Sequence, residues 1–213
     1  TRSSYALVMT DTLLTPQRLL GFGVGAEYTR ESLLVGSRSI NRSRGFTATA
    51  YLAEILNETF TLVPQVALTL LDKKKKTSST PDDNDGKAMR TLLSLTMLGQ
   101  KQWGKVELSG FGQLAFTNES PIDSGVDAIY LGQAIAGGEF AFAVRAEARL
   151  FVGASMGYDL TRSQSTSDRL SYEGKLGLRS PLGSKAEFSL SISTSRKDEE
   201  ETTSGNLFVK FFF

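Results

Sequence analysis

Along most of this chain apolar residues fall on every second position. Leu20, Phe22, Val24, Ala26 and Tyr28 alternate with Gly21, Gly23, Gly25, Glu27 and Thr29. A period of two over such a length is the signature of a strand with two different faces. The same pattern recurs in Phe60–Leu70, where Phe60, Leu62, Pro64, Val66, Leu68 and Leu70 share a face. It recurs again in Val106–Phe116, Leu150–Leu160, Leu170–Leu178 and Ala186–Ile192. Shorter or weaker versions occupy Tyr5–Thr10 (Tyr5, Leu7 and Met9 together), Phe46–Leu56, Leu93–Met97 and Tyr130–Arg145. Pro64 lacks a backbone donor, so a local defect is expected there or at a neighbouring bulge. With Asn206–Phe213 the count reaches eleven. It falls to ten if Tyr5–Thr10 does not span, and rises to twelve if Leu33–Ile40 pairs as its own strand or a strand precedes Thr1.

Between these segments, long polar stretches alternate with short turns. Residues 30–45 are charged and serine-rich and are expected to hold a broken strand around Leu33–Val35; 72–87, 117–127, 161–168 and 196–205 are expected to be loops, and Asn57–Thr59, Gly99–Gly104 and Ser180–Gly183 tight turns. The stretch 72–87 carries two opposed charge blocks, Lys73–Lys76 and Asp82–Asp85. Aromatic residues gather near segment ends: Tyr28, Phe46, Phe60, Trp103, Phe116, Tyr130, Tyr158 and Tyr172. Short turns at one end, long connections at the other and aromatic girdles are features of transmembrane β-barrels.

Composition narrows the choice. The chain has 213 residues, a net charge of +1, no Cys and no His. Near-neutrality gives no reason to expect nucleic acid as a partner. Mean hydropathy is slightly negative, and no apolar run approaches the ~20 residues of a transmembrane helix. Transmembrane strands need only ~9–11 residues with every second one apolar, so average hydropathy hides them. No signal peptide opens the sequence, which implies that one has been cleaved or that the chain is the C-terminal part of something longer. A soluble β-sandwich is the rival reading, since its strands also alternate. The membrane barrel is preferred because strand edges in lipid are satisfied only by closure, and because the second face here is rich in Gly, Ser, Thr and mixed charge. The expected fold is all-β: a closed transmembrane antiparallel β-barrel of about ten to twelve strands. It forms one domain over 1–213, with 1–18 partly outside the wall.

The segment Asn206–Phe213 carries Leu207, Val209, Phe211 and Phe213 on one face and ends on three phenylalanines. It resembles the C-terminal assembly signal of bacterial outer-membrane barrels. That resemblance implies a Gram-negative outer-membrane location and the barrel-assembly machinery as a partner. It also implies that losing Phe213, or replacing it with a charged residue, impairs assembly. The run Tyr5–Tyr28, with its Pro-containing turn and Leu20-Gly21-Phe22-Gly23-Val24-Gly25-Ala26-Glu27-Tyr28-Thr29-Arg30, resembles early strands of autotransporter translocator domains. Gly153-Ala154-Ser155-Met156-Gly157-Tyr158 and Phe213 are similar to later ones. The family implies a barrel that anchors an upstream passenger segment or passes it across the outer membrane. The chain is shorter than is usual for that family and shows no passenger or long pore helix upstream. Two alternatives stand beside it: a free-standing small porin or structural barrel, and an adhesin-like barrel binding through the loops at 72–87 and 196–205.

Chemistry points the same way. Outer-membrane barrel enzymes such as omptin-like proteases and phospholipase A-like lipases resemble one another in using an active-site His, which this sequence lacks. A His-activated nucleophile or base is excluded, and no enzymatic activity is expected. Gly21–Gly25 superficially matches a phosphate-binding loop, but strand alternation runs straight through it, so the glycines form the small face of a strand. Asp198–Glu201 lacks the alternating oxygen pattern of a calcium loop. No cofactor, metal site or catalytic residue is expected. Lys73–Lys76 reads as a solvated loop partly neutralised by Asp82, Asp83 and Asp85, with contact to lipopolysaccharide phosphates as the alternative. Outer-membrane lipid and lipopolysaccharide are the expected surroundings. The residues expected to line the lumen are Glu27, Glu107, Gln113, Glu139, Arg145, Asp159, Glu173, Lys175, Arg179, Glu187 and Lys210. Their mixed signs favour cross-strand pairing over a strongly selective ion channel.

Overall fold

The structure, a computed structural model, describes residues 2–35, 37–77, 80–122, 127–144, 148–163, 169–181, 186–197 and 200–211. Eleven strands form one sheet in sequence order: β1 (Arg2–Thr15), β2 (Arg18–Val35), β3 (Ser37–Ile55), β4 (Phe60–Thr77), β5 (Thr80–Trp103), β6 (Val106–Pro121), β7 (Ile129–Ala143), β8 (Arg149–Arg162), β9 (Leu170–Pro181), β10 (Ala186–Lys197) and β11 (Glu200–Phe211). Every neighbouring pair is antiparallel. The sheet curls into half a barrel. The closed wall expected from the sequence is not seen among the described residues, where β1 and β11 each have a single neighbour.

Alternation sorts the side chains between two surfaces. Phe22, Val24, Phe46, Leu68, Leu70, Leu93, Leu95, Leu114, Phe140, Val152, Leu176 and Ile192 lie exposed on the convex face. Thr47, Thr49, Thr69, Ser94, Glu107, Asp159, Ser191 and Ser193 are buried on the concave one. A soluble sheet would reverse this, with its apolar face covered. On β4 the apolar row runs from Phe60 to Leu70. Ten residue steps at ~3.3 Å, tilted by ~40°, give a belt about 25 Å tall, the height of an outer-membrane apolar band.

Several connections differ from expectation. The stretch 72–87, read from sequence as a loop, is largely strand, with β4 ending at Thr77 and β5 beginning at Thr80. The stretch 30–45, expected to hold only a broken strand around Leu33–Val35, is strand as well, with β2 ending at Val35 and β3 beginning at Ser37. Likewise β6 continues to Pro121, and β10 and β11 take up most of 196–205. Their polar composition reports that these strand ends have left the apolar belt, and composition alone cannot distinguish a solvated strand from a loop. Leu33–Val35 closes β2, and the residues after Ser37 open β3, so no separate strand forms there. The opposed charge blocks become cross-strand neighbours, with Lys74 opposite Asp85. The asymmetry between ends is one of strand extension: β2–β5 run on as polar hairpins at one rim, while the opposite rim turns at residues 16–17, 56–59 and 104–105. Gly104, at φ 57°, lies in the last of these, in a backbone state glycine adopts without strain.

Pro64 sits where its defect was expected. The β3–β4 ladder passes from Tyr51↔Gln65 to Glu54↔Leu62 with no pairing between, while the β5 side stays continuous through Pro64↔Leu95. The missing donor faces β3.

Leu7 and Met9 share a side, as the alternation predicts, and the register puts it on the glycine side of β2, because Val8 pairs with Val24 and Thr10 with Phe22 on the convex face. A methyl group on Gly25 would stand 3.2 Å from Leu7 Cδ1, and one on Gly23 3.1 Å from Met9 Cγ. One on Gly21 would stand 2.1 Å from the Tyr51 ring. The glycine row of β2 is thus already filled by side chains of the strands on either side.

Candidate functional site: the concave face

The concave face is mostly polar, with Leu71, Phe111 and Phe151 set among its polar side chains, and its charges fall in two groups. Toward the long-hairpin rim, Arg90 on β5 reaches Glu27 on β2 at 3.3 Å and Glu119 on β6 at 3.1 Å. Lys73 on β4 completes the cluster by pairing with Glu119. On the same side of the sheet Asp159, 1% exposed, accepts a hydrogen bond from Gln133 at 2.8 Å and faces Arg162 at 3.3 Å. Toward the short-turn rim, Glu107 pairs with Arg149 and lies 3.8 Å from Arg179. Glu139 pairs with Arg179 and with Lys175 at 3.4 Å. Both cations also cover the ring of Phe151, with Arg179 4.9 Å and Lys175 5.0 Å from its centroid. Such a contact draws the cation to the ring's negative face.

Between the groups, neutral side chains pair across strands. Thr47 and Thr69 share a hydrogen bond of 2.8 Å, Gln65 donates to Thr49 at 3.0 Å, and Gln113 donates to Thr96 at 3.0 Å. A cavity of ≈ 480 Å³ opens beside the short-turn group, lined by Glu107, Glu139, Glu173, Lys175, Arg179 and Phe111 among others. Glu27, Glu107, Glu119 and Glu139 each face a guanidinium or ammonium group, an arrangement that braces a wall rather than caging a cation.

The sequence pattern places most of these residues. Glu27, Glu107, Gln113, Glu139, Asp159, Lys175 and Arg179 make concave-face contacts, and Glu173 lines the cavity. Glu187 is half-buried and pairs in register with Lys210 on β11. Arg145 lies outside the described residues. Of the proposed assembly segment, Leu207 and Val209 are exposed on the convex face, Phe211 pairs in register with Ala186, and Phe213 lies outside the described residues.

Sequence reasoning missed Lys73, Arg90, Glu119, Arg149 and Arg162. Lys73 and Glu119 were hidden inside stretches read as loops, although extending the alternation would have placed both inward. Arg90 shares parity with Ser94 and Thr96, and Arg149 with Phe151 and Gly153, so both were legible in principle. Arg162 was not. Asp159 pairs with Gln133 while Thr161 pairs with Gly132, so Leu160 is an extra residue. That bulge reverses the parity of the residues beyond it and turns Arg162 back onto the face of Asp159.

No protein-family model and no curated protein sequence matches the chain. Solved structures do. The translocator domain of the autotransporter NalP from Neisseria meningitidis superposes with a TM-score of 0.78 at 15% identity, covering 99% of this chain and 81% of that one. The transport unit of the autotransporter AIDA-I from Escherichia coli gives 0.80 at 12% identity, with 99% and 82% covered. The β domain of the Bordetella autotransporter BrkA gives 0.79 at 14% identity, with 99% and 90% covered. With its apolar convex belt, polar braced concave face and this likeness, the chain has the fold of an outer-membrane β-barrel and resembles the translocator domains of autotransporters.

Proposed function

We propose that this chain is the membrane anchor of a translocator, holding or passing an upstream segment across the outer membrane. The observation that carries the reading is the placement of β1. Arg2 pairs with Arg30 near the long-hairpin rim, and β1 runs from there down to the short turn at residues 16–17. In outer-membrane barrels the long connections face outward and the short turns face the periplasm. Any residues preceding β1 therefore start at the outer rim and must have crossed the membrane, either as a further wall strand or along the concave face. Strand parity supports the first route. In an antiparallel sheet of eleven strands β1 and β11 run in the same direction, so one more strand between them would restore antiparallel pairing at both edges. The polar concave face and its cavity suit the second, since a passing polypeptide needs hydrogen-bonding walls in place of lipid.

The mechanism is passive. Ion pairs hold the interior open, the apolar belt fixes the depth in the bilayer, and no catalytic step is required. The test is an epitope fused ahead of Thr1 behind a secretion signal, with whole cells then treated with protease. The expected result is loss of the epitope from intact cells with the barrel still folded. An epitope protected in the periplasm under a correctly inserted barrel would overturn translocation. Stable single-channel conductance in that case would favour the free-standing pore.

A further inference from the structure

The convex face of β2–β5 changes character abruptly, row by row. Ala26, Phe46, Leu70 and Met89 stand side by side as the last apolar row. The next row toward the long-hairpin rim is Tyr28, Arg44, Asp72 and Lys87, and the one beyond is Arg30, Arg42, Lys74 and Asp85. Arg42, Arg44, Lys74 and Lys87 are exposed. A cavity of ≈ 310 Å³ lies among Arg42, Arg44, Asp72 and Lys74.

Two features set this patch apart from ordinary surface charge. The first is like-charge adjacency: Arg30, Arg42 and Lys74 occupy directly opposite positions on three successive strands, and Arg2 extends the row onto β1. Like charges directly opposite on one face repel at ~5 Å between Cβ atoms and destabilise the sheet. Asp72 and Asp85 offset part of this on β4 and β5, but Arg42 has a cation in register on either side, Arg30 and Lys74. Among the described residues neither Arg42 nor Arg44 makes an ion pair. The second is depth. Two strand residues, tilted, raise Arg44 by only about 5 Å above Phe46, which is where headgroups begin.

We propose that this patch binds the phosphates of a phosphorylated glycolipid in the outer leaflet, with Arg42 and Arg44 as forked ligands and Lys74 and Lys87 supplying further charge. Guanidinium groups grip phosphate through two parallel hydrogen bonds, and the anion relieves the repulsion between the rows. Acyl chains of the same lipid would lie along Phe46, Leu68 and Leu70 below. The proposal rests on the membrane placement of the barrel and not on translocation, so failure of either leaves the other standing.

The test is native mass spectrometry of the barrel, refolded in detergent, with diphosphorylated lipid A and with its dephosphorylated form. Wild-type protein should retain the phosphorylated lipid, and R42Q/R44Q should hold it on the order of tenfold or more weakly, since each basic group near an anionic surface contributes about fivefold. K101Q, on the convex face near the opposite rim, should bind as wild type. Folding is checked by heat-modifiable migration. If the double variant does not fold, R42Q alone and the dephosphorylated lipid with wild-type protein decide. Equal retention by R42Q/R44Q, or equal retention of the dephosphorylated lipid, would overturn the site. Displacement by inorganic phosphate at the lipid's own concentration would overturn the lipid as its source.

Discussion

Arg90 on β5 lies 3.3 Å from Glu27 on β2, although two strands separate them. On a flat sheet strands three places apart stand ~14 Å from one another, and their side chains rise upright from the sheet rather than lean across it. The pair therefore reports the curl of the wall, and it binds together β2, β5 and β6 through Glu119.

Arg90→Ala should destabilise the folded barrel by about 1–3 kcal/mol, because it leaves Glu27 and Glu119 without their shared cation in a partly dehydrated interior. Arg18→Ala, at the exposed Arg18–Glu54 pair near the short-turn rim, should cost less than about 1 kcal/mol. Urea unfolding followed by Trp103 fluorescence reads both. Equal effects would mean that the concave face is as screened as the rim.

Gly177 and Gly174 lie three residues apart on β9, yet their fates under substitution should diverge. A Cβ on Gly177 would stand 2.3 Å from Phe151 Cζ and 2.5 Å from the Leu190 carbonyl, whereas one on Gly174 meets nothing within 4 Å. Gly177→Ala should cost about 1–3 kcal/mol as an overpacked site, while Gly174→Ala stays within about 0.5 kcal/mol of wild type. Thermal unfolding of the two variants side by side decides the matter.

Leu95 and Thr96 are sequence neighbours on opposite faces at mid-height. Leu95→Arg places charge on the convex belt and should cost about 2–4 kcal/mol when the barrel is folded into a bilayer. Thr96→Arg faces the polar interior and gives up only the hydrogen bond from Gln113, worth about 1 kcal/mol. Refolding into lipid vesicles, scored by electrophoretic migration, should rank them in that order. The reverse ranking would invert the assignment of faces.

Pro64→Thr restores a backbone donor opposite the gap in the β3–β4 ladder. The gain of one hydrogen bond, about 1 kcal/mol, is offset by the greater freedom that the unfolded chain acquires without proline. The midpoint of unfolding should therefore move little, while amide exchange at Leu52, whose N–H faces the same gap, slows. Unchanged exchange there would show that proline does not cause the gap.

Strand geometry is imposed locally, and that decides how much of the fold was legible in the sequence. Alternation is a property of the chain itself, so Leu20–Thr29, Phe60–Leu70 and Leu150–Leu160 disclosed both their strand state and their two faces. Mixed charge on the second face likewise announced a hydrated interior. The eleven strands were countable for the same reason. Tertiary structure decided the rest. It extended β4 and β5 through Lys73–Lys75 and Asn84–Lys87, because pairing with a neighbour can carry a strand past the belt that gives it an apolar face. It turned Leu7 and Met9 inward, because the register with β2 fixes the face of β1 while the pattern within β1 does not. It inserted Leu160 as a bulge and thereby brought Arg162 to Asp159. Which carboxylate meets which cation depends on curvature summed over several strands, a quantity that no local window of sequence contains.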